Sequence, residues 1–237
     1  MQRYFSNNKQ NDYLFLNEDD IYHIKKVMRM NNDDIVEIIY NEKLFLAQIQ
    51  DIDNNIKFKI VEEIVNDINK IPFVTLIIPY LKESKIDLIL QKATEMGVSQ
   101  FILCPMERCM VKIDESKIDS KLNRWIRICK EASEQSKRNN IPNVKIINNI
   151  KCLENIEGHN FTCSTQEKSK KIKKVLKNIK NYDKINLVIG PEGGLSSKEE
   201  EYLSKIGFES ITLGNLIMRV ESVPLFLMSV INYEYME

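Results

Sequence analysis

Histidine and tryptophan are almost missing from these 237 residues, glycine and cysteine are sparse, and neither sign of charge is in excess. Each shortage removes a class of protein. His23 and His159 are the only histidines, far apart, and no G-x-S-x-G is present, so no convincing Ser-His-Asp arrangement is offered. The five cysteines, Cys104, Cys109, Cys129, Cys152 and Cys163, are odd in number, scattered and without a C-x-x-C. That pattern suggests neither a disulfide framework nor a zinc site, and no metal is expected. No apolar run approaches the roughly 18 residues that cross a membrane, and no apolar segment follows MQRYFSNNKQ as in a secretory signal, so the expectation is a cytoplasmic protein with no membrane partner. The P-loop and the G-x-G-x-x-G turn are both missing, which argues against a triphosphate or dinucleotide cradle. Formal net charge is zero, so any contact with nucleic acid must come from local clusters.

What is present divides the chain in two. Residues 1–72 carry 9 basic and 13 acidic groups, net −4, and residues 73–237 carry 25 and 21, net +4. The first part reads as β-rich, with strands at Ile35–Tyr40, Lys43–Ile49 and Ile56–Val61 separated by Asn-Glu and Asp-Asn-Asn turns. A helix is expected over Asp19–Arg29, and the polar stretch Asn66–Lys70 before Pro72 reads as a linker. From Phe73 strands and helices alternate. Expected strands are Phe73–Ile78, Val98–Cys104, Val144–Ile147, Phe161–Ser164, Ile185–Ile189 and Ser210–Leu213. Expected helices are Ser84–Met96, Lys121–Arg138, Gln166–Lys180, Lys198–Ile206 and a last one from Glu221. Such alternation implies an α/β domain with a mainly parallel sheet covered on both faces. The lysines between Lys168 and Lys184 fall mostly opposite an apolar stripe and read as a solvated face.

Four of the seven glycines sit in two loops that follow strands: Gly190, Gly193 and Gly194 in Ile189-Gly190-Pro191-Glu192-Gly193-Gly194, and Gly214 after Leu213. Ligands of open α/β sheets bind beyond the carboxyl ends of strands, and glycine permits close backbone approach or positive φ. A ligand with an adenine edge and no triphosphate, read by backbone groups, fits two such loops. Ser196 and Glu199 then form a capping box for the following helix. Arg219, with Glu221 two positions on, is the polar residue best placed for chemistry.

These residues carry a resemblance to a known family. Arg3-Tyr4-Phe5, His23-x-x-x-Val27-Met28-Arg29, Lys92-Ala93-Thr94-Glu95-Met96-Gly97-Val98, Glu131 to Arg138 with Ile141-Pro142, Gly190-Pro191-Glu192-Gly193-Gly194 and Ile217 to Ser222 are similar to motifs of the RsmE family, over nearly the whole chain. These are SPOUT-class methyltransferases acting on N3 of a uridine in 16S ribosomal RNA. The resemblance implies a PUA-like β-barrel for RNA binding in residues 1–70 and a SPOUT α/β domain with a C-terminal trefoil knot in residues 73–237. It implies S-adenosylmethionine as cofactor, a homodimer, and the 16S RNA or small ribosomal subunit as partner. Cofactor contacts would come from Ile189, Gly190, Pro191, Glu192, Gly193, Gly194, Leu213, Gly214, Ile217 and Met218. Arg219 would hold charge on the uracil and Glu221 would orient it; Arg3, Arg29, Lys92, Arg108 and Arg138 would grip RNA. The chain departs from the family pattern at Leu216, where an arginine is usual, and at Ser222 and Val223, where threonine and alanine are usual. A related methyltransferase with another RNA target, or a ribosome-assembly protein whose pocket has lapsed, is the alternative.

Overall fold

The computed structural model describes residues 1–65 and 71–235. The expected linker at Asn66–Lys70 lies outside the described residues. The chain separates into two compact units, Met1–Ile68 with Ser133–Asn140, and Asn69–Ala132 with Ile141–Glu237.

The first unit is a six-stranded sheet in the order β1-β4-β5-β6-β3-β2. Its strands are β1 (Arg3–Phe5), β2 (Asn8–Gln10), β3 (Tyr13–Phe15), β4 (Ile35–Tyr40), β5 (Lys43–Gln50) and β6 (Lys57–Ile64). The β4–β5 hairpin pairs Tyr40 with Lys43 and places Asn41 and Glu42 at φ 49° and 63°, the paired positive φ of a tight hairpin turn. Alternate residues point inward, so Val36, Ile38, Phe45, Ala47, Ile49 and Phe58 share one core with Tyr4, Leu14 and Ile24. The three short N-terminal strands carry too little pattern to be read in advance. The helix expected over Asp19–Arg29 is shorter: α1 (Glu18–Tyr22), capped by the Asn17 side chain, widens into a π turn over His23–Val27. Arg3 ties Ser133–Asn140 into this unit. Its Nε lies 2.8 Å from Glu37 Oε2, its Nη1 donates to Asn139 Oδ1 at 2.9 Å and to the Lys137 carbonyl, and Lys137 Nζ reaches Glu37 at 2.9 Å.

The second unit is an all-parallel sheet in the order β12-β10-β11-β7-β8-β9. Its elements are β7 (Phe73–Pro79), α2 (Glu83–Glu95), β8 (Gln100–Cys104), α3 (Ile118–Gln135), β9 (Asn143–Ile146), β10 (His159–Cys163), α4 (Ile172–Leu176), β11 (Lys184–Ile189), α5 (Ser197–Lys205), β12 (Glu209–Ile211) and α6 (Ser222–Tyr235). Neighbouring residues of the central strands serve opposite faces. Leu76, Ile78, Leu187 and Ile189 enter the core that holds Ile86, Leu90, Trp125, Leu227 and Met228, while Ile77 and Val188 enter a second with Leu195, Leu203 and Phe208. Burial on both faces is why these strands read as continuous apolar runs.

Two expectations fail here. The helix expected over Gln166–Lys180 is reduced to Ile172–Leu176, because the chain before it is committed elsewhere. Thr212 N donates to Lys170 O at 2.9 Å and Ile172 N to Thr212 O at 3.2 Å, and the Glu167 carboxylate accepts the Ser169 and Lys170 amides at 2.6 and 3.0 Å. A side chain that takes backbone amides competes directly with a helix. The strand expected over Ser210–Leu213 ends at Ile211, releasing Leu213 into the loop.

Candidate functional site

Adjacent strands β11, β10 and β12 end together, and the segments leaving them enclose a cavity of about 810 Å³ within the second unit. Beyond β11 the loop turns tightly: Gly194 N donates to Pro191 O at 2.8 Å, with Gly194 at φ +70°. Gly190 is glycine for another reason, since a Cβ there would sit 3.0 Å from the Leu195 backbone nitrogen. The loop then enters α5 through a complete capping box, with Glu199 N donating to Ser196 Oγ at 3.3 Å and Ser196 N to Glu199 Oε2 at 2.8 Å. The other Glu199 oxygen accepts the Glu107 amide at 2.8 Å. Arg108 braces the loop, its Nη1 donating to the carbonyls of Gly193 at 2.9 Å and Leu195 at 3.1 Å.

The second loop runs from β12 to α6. Gly214 takes φ +128°, and the Thr212 hydroxyl donates to Gly214 O at 3.2 Å. Leu216 and Ile217 are 85% and 86% exposed, so this loop presents apolar surface where a solvated loop would be polar. Arg219 is exposed on the cavity wall and its carbonyl accepts the Ser222 amide at 2.9 Å, opening α6. Glu221 is bound to Lys85 of α2, with Oε2 3.0 Å from Lys85 Nζ, and the same ammonium lies 2.9 Å from Glu192 Oε1 in the first loop. Glu221 is held below the usual carboxylate range by its own backbone amide, against desolvation, with Lys85 and then Arg219 adding to the effect. For Glu192 desolvation pushes upward, yet the Lys85 bond and a backbone amide outweigh it and the net direction is down. Desolvation raises the Cys163 thiol at the end of β10 to about 12, so it is a neutral wall and not a nucleophile.

The cavity gathers Ile189, Gly190, Pro191, Glu192, Gly193, Gly194, Leu213, Gly214, Ile217, Met218, Arg219 and Glu221, all singled out from sequence. The basic residues assigned to RNA divide between the two units. Arg3, Arg29 and Arg138 belong to the first unit and Lys92 and Arg108 to the second. Arg3 has a side chain only 4% exposed, with Nε directed at Glu37 and Nη1 at Asn139 and the Lys137 carbonyl. Arg29 is exposed at φ 52°, Lys92 pairs with Glu95 at 3.0 Å, and Arg138 Nη2 donates to Asn140 Oδ1 at 2.8 Å. Glu221 is ion-paired with Lys85, with Arg219 as a further positive charge acting on it. Lys85 was missed, as were Ser164, Thr165 and Gln166 on the cavity wall after β10. Among the described residues no group of three or more His, Cys, Asp or Glu is placed to hold a metal, and no helix is long and apolar enough to cross a membrane.

Residues 69–232 match the RNA methyltransferase domain family, and residues 16–63 match the RNA methyltransferase PUA domain. A Bacillus subtilis relative, ribosomal RNA small subunit methyltransferase E, is 32% identical over 91% of this chain and 88% of its own length. The chain belongs to this RsmE family. A second RsmE relative, from Mesomycoplasma hyopneumoniae, is 31% identical over 97% of this chain and 98% of its own. Among solved structures, an RsmE protein from Neisseria gonorrhoeae bound to S-adenosyl methionine is 26% identical, covers 99% of this chain and 98% of that one, and superposes with a TM-score of 0.87. The RsmE architecture of a PUA domain followed by a mixed α/β methyltransferase domain is therefore that of this chain.

Proposed function

We propose that this chain transfers a methyl group from S-adenosylmethionine to N3 of a uridine in 16S ribosomal RNA, forming 3-methyluridine. One observation carries the reading: both glycine loops and Arg219 line a single cavity at the ends of three adjacent strands, in a chain of the RsmE family with a cofactor-bound structural relative. The cavity fits the cofactor. Gly190 has no room for a side chain beside the Leu195 amide, so the loop folds closely on itself along the cavity wall, and about 810 Å³ is within the range of small-molecule sites.

The cofactor supplies an electrophilic methyl on a sulfonium. The chain's own residues do the rest. N3 lies on the Watson–Crick edge, so the uridine must be unpaired or flipped to enter. As N3 attacks, negative charge grows on O2 and O4 of the uracil, and we assign Arg219 to hold it, because a guanidinium stays charged and donates in a planar fork. A carboxylate already held ionised by its own backbone amide and by Lys85 is a weak base, so we assign Glu221 to charge placement next to Arg219 and not to removal of the N3 proton.

We also read residues 1–70 as a PUA-like barrel that places RNA, with Arg3 and Arg29 as contacts there, and Lys92, Arg108 and Arg138 as contacts in residues 73–237. A trefoil knot formed by the two cavity loops, a homodimeric state, a cytoplasmic setting and the small ribosomal subunit as partner complete the reading by likeness to the family. The test is to incubate purified protein, labelled S-adenosylmethionine and unmodified small subunits, then digest the RNA to nucleosides. Label in 3-methyluridine is expected; label in another nucleoside, or none, contradicts the proposal.

A further inference from the structure

The Lys85 ammonium sits where a cation is costly in isolation, in the first turn of α2, near the positive end of the helix dipole. Its side chain is 28% exposed and it touches two carboxylates that come from different loops, Glu192 at 2.9 Å and Glu221 at 3.0 Å. Those loops need different support. The loop after β11 is braced by the Arg108 guanidinium on two of its carbonyls and by the capping box of α5. Among the described residues, the Lys85–Glu221 bridge is the ion pair that reaches the segment between β12 and α6, and that segment carries Arg219. The two carboxylates also repel one another, Glu221 acting on Glu192 in the direction of protonation, and the Lys85 ammonium between them offsets that repulsion.

We infer that Lys85 is a positioning residue, a strap that binds the two cavity loops to each other and so fixes the floor of the cofactor site and the start of the Arg219 segment. Lys85 itself lines the cavity, and the role given to it here is exerted through Glu192 and Glu221. The inference rests on the cavity being the cofactor site for its effect on affinity, but not for its effect on the loops themselves. An arginine at position 85 offers several donors to the same two oxygens and should keep the strap. A methionine keeps the length and loses the charge.

Three measurements on the full chain decide this. Amide hydrogen exchange on the ligand-free protein should show faster exchange over residues 190–195 and 213–221 in Lys85→Met than in wild type, with Lys85→Arg close to wild type. Titration with S-adenosylhomocysteine should show affinity weaker by about tenfold in Lys85→Met, the middle of the range for groups in one ion-pair network, and little change in Lys85→Arg. In methyl transfer the loss should lie mainly in the cofactor KM, whereas an Arg219 variant loses kcat. The Lys85→Met and Glu221→Gln effects on affinity should be far from additive, since each removes the same bridge. Unchanged exchange in both loops, or additive effects of the two substitutions, overturns the role given to Lys85. If wild type fails to bind S-adenosylhomocysteine, the cofactor reading falls, and the exchange experiment alone still decides the strap.

Discussion

In the proposed mechanism Arg219 carries the chemistry, because it lines the cavity with no ion pair to a described residue while Glu221 is paired with Lys85. Arg219→Ala should lower single-turnover methyl transfer by about 100- to 1000-fold, roughly 3 to 4 kcal/mol, the usual cost of one donor lost from a developing charge. Cofactor affinity should stay within a few-fold. Arg219→Lys should recover little, because a point charge does not reproduce the planar fork, and Leu216 leaves no second guanidinium nearby in this loop. A rate within about fivefold of wild type, far short of a typical donor loss, would remove Arg219 from the mechanism. The glycines separate into two kinds. A Cβ at Gly190 meets the Leu195 nitrogen at 3.0 Å, so Gly190→Val should abolish cofactor binding in a titration while the protein stays folded. A Cβ at Gly194 meets nothing within 4 Å, so Gly194→Ala should cost only the strain of φ +70°, about 1 kcal/mol by thermal melting, with binding largely kept. Equal binding by the Gly190 variant would place the ligand elsewhere. The loop residues were legible in the sequence because each loop is a short contiguous string after an apolar strand. Lys85 was not, because its partner Glu192 is 107 residues away. The burial of Arg3 beside Glu37 was not legible for a related reason: it depends on a strand pairing that its own tripeptide does not encode.

At the scale of elements, long apolar runs and capping signals were readable and competing hydrogen bonds were not. The Ser196–Glu199 box could be seen because capping is local, four residues long. The Gln166–Lys171 stretch looked helical by spacing, yet its amides go to Glu167 and its backbone pairs with Thr212, a partner no helical period reveals. Strand β4 meets Ser133–Asn140 through the Arg3–Glu37–Lys137 group, and that group makes a pH prediction. Desolvation pushes Glu37 up, but the bonds from Lys137 and Arg3 outweigh it and its carboxyl is held below the ordinary value. A depressed carboxylate stabilises the fold above its unfolded pKa, and that contribution is lost as pH falls through the lower, folded value. Wild type should therefore lose thermal stability on acidification through the carboxylate range, and Glu37→Gln should start lower at neutral pH and show a shallower acid slope. Parallel curves for the two proteins would mean that Glu37 is not linked to folding.

At the scale of the molecule, strand and helix alternation from Phe73 was enough to name an α/β domain with a parallel sheet, since strands buried on both faces must be apolar throughout. The order β12-β10-β11-β7-β8-β9 was not readable, because a period of two says which residues face a core and not which strand lies beside which. That order is what brings the ends of β11, β10 and β12 together, and so makes one cavity out of two separate glycine loops. Net charge is only +4 over residues 73–237 and −4 over residues 1–72, so neither unit draws RNA strongly by net charge alone, and we propose that substrate choice rests on shape and local contacts. The most direct test of the central claim is nucleoside mass spectrometry of 16S ribosomal RNA from cells with and without this protein, the second set complemented by wild type and by Arg219→Ala. 3-Methyluridine should be present with the protein, absent without it, restored by wild type and not by the variant. An undiminished level of 3-methyluridine in cells that lack the protein would contradict the account.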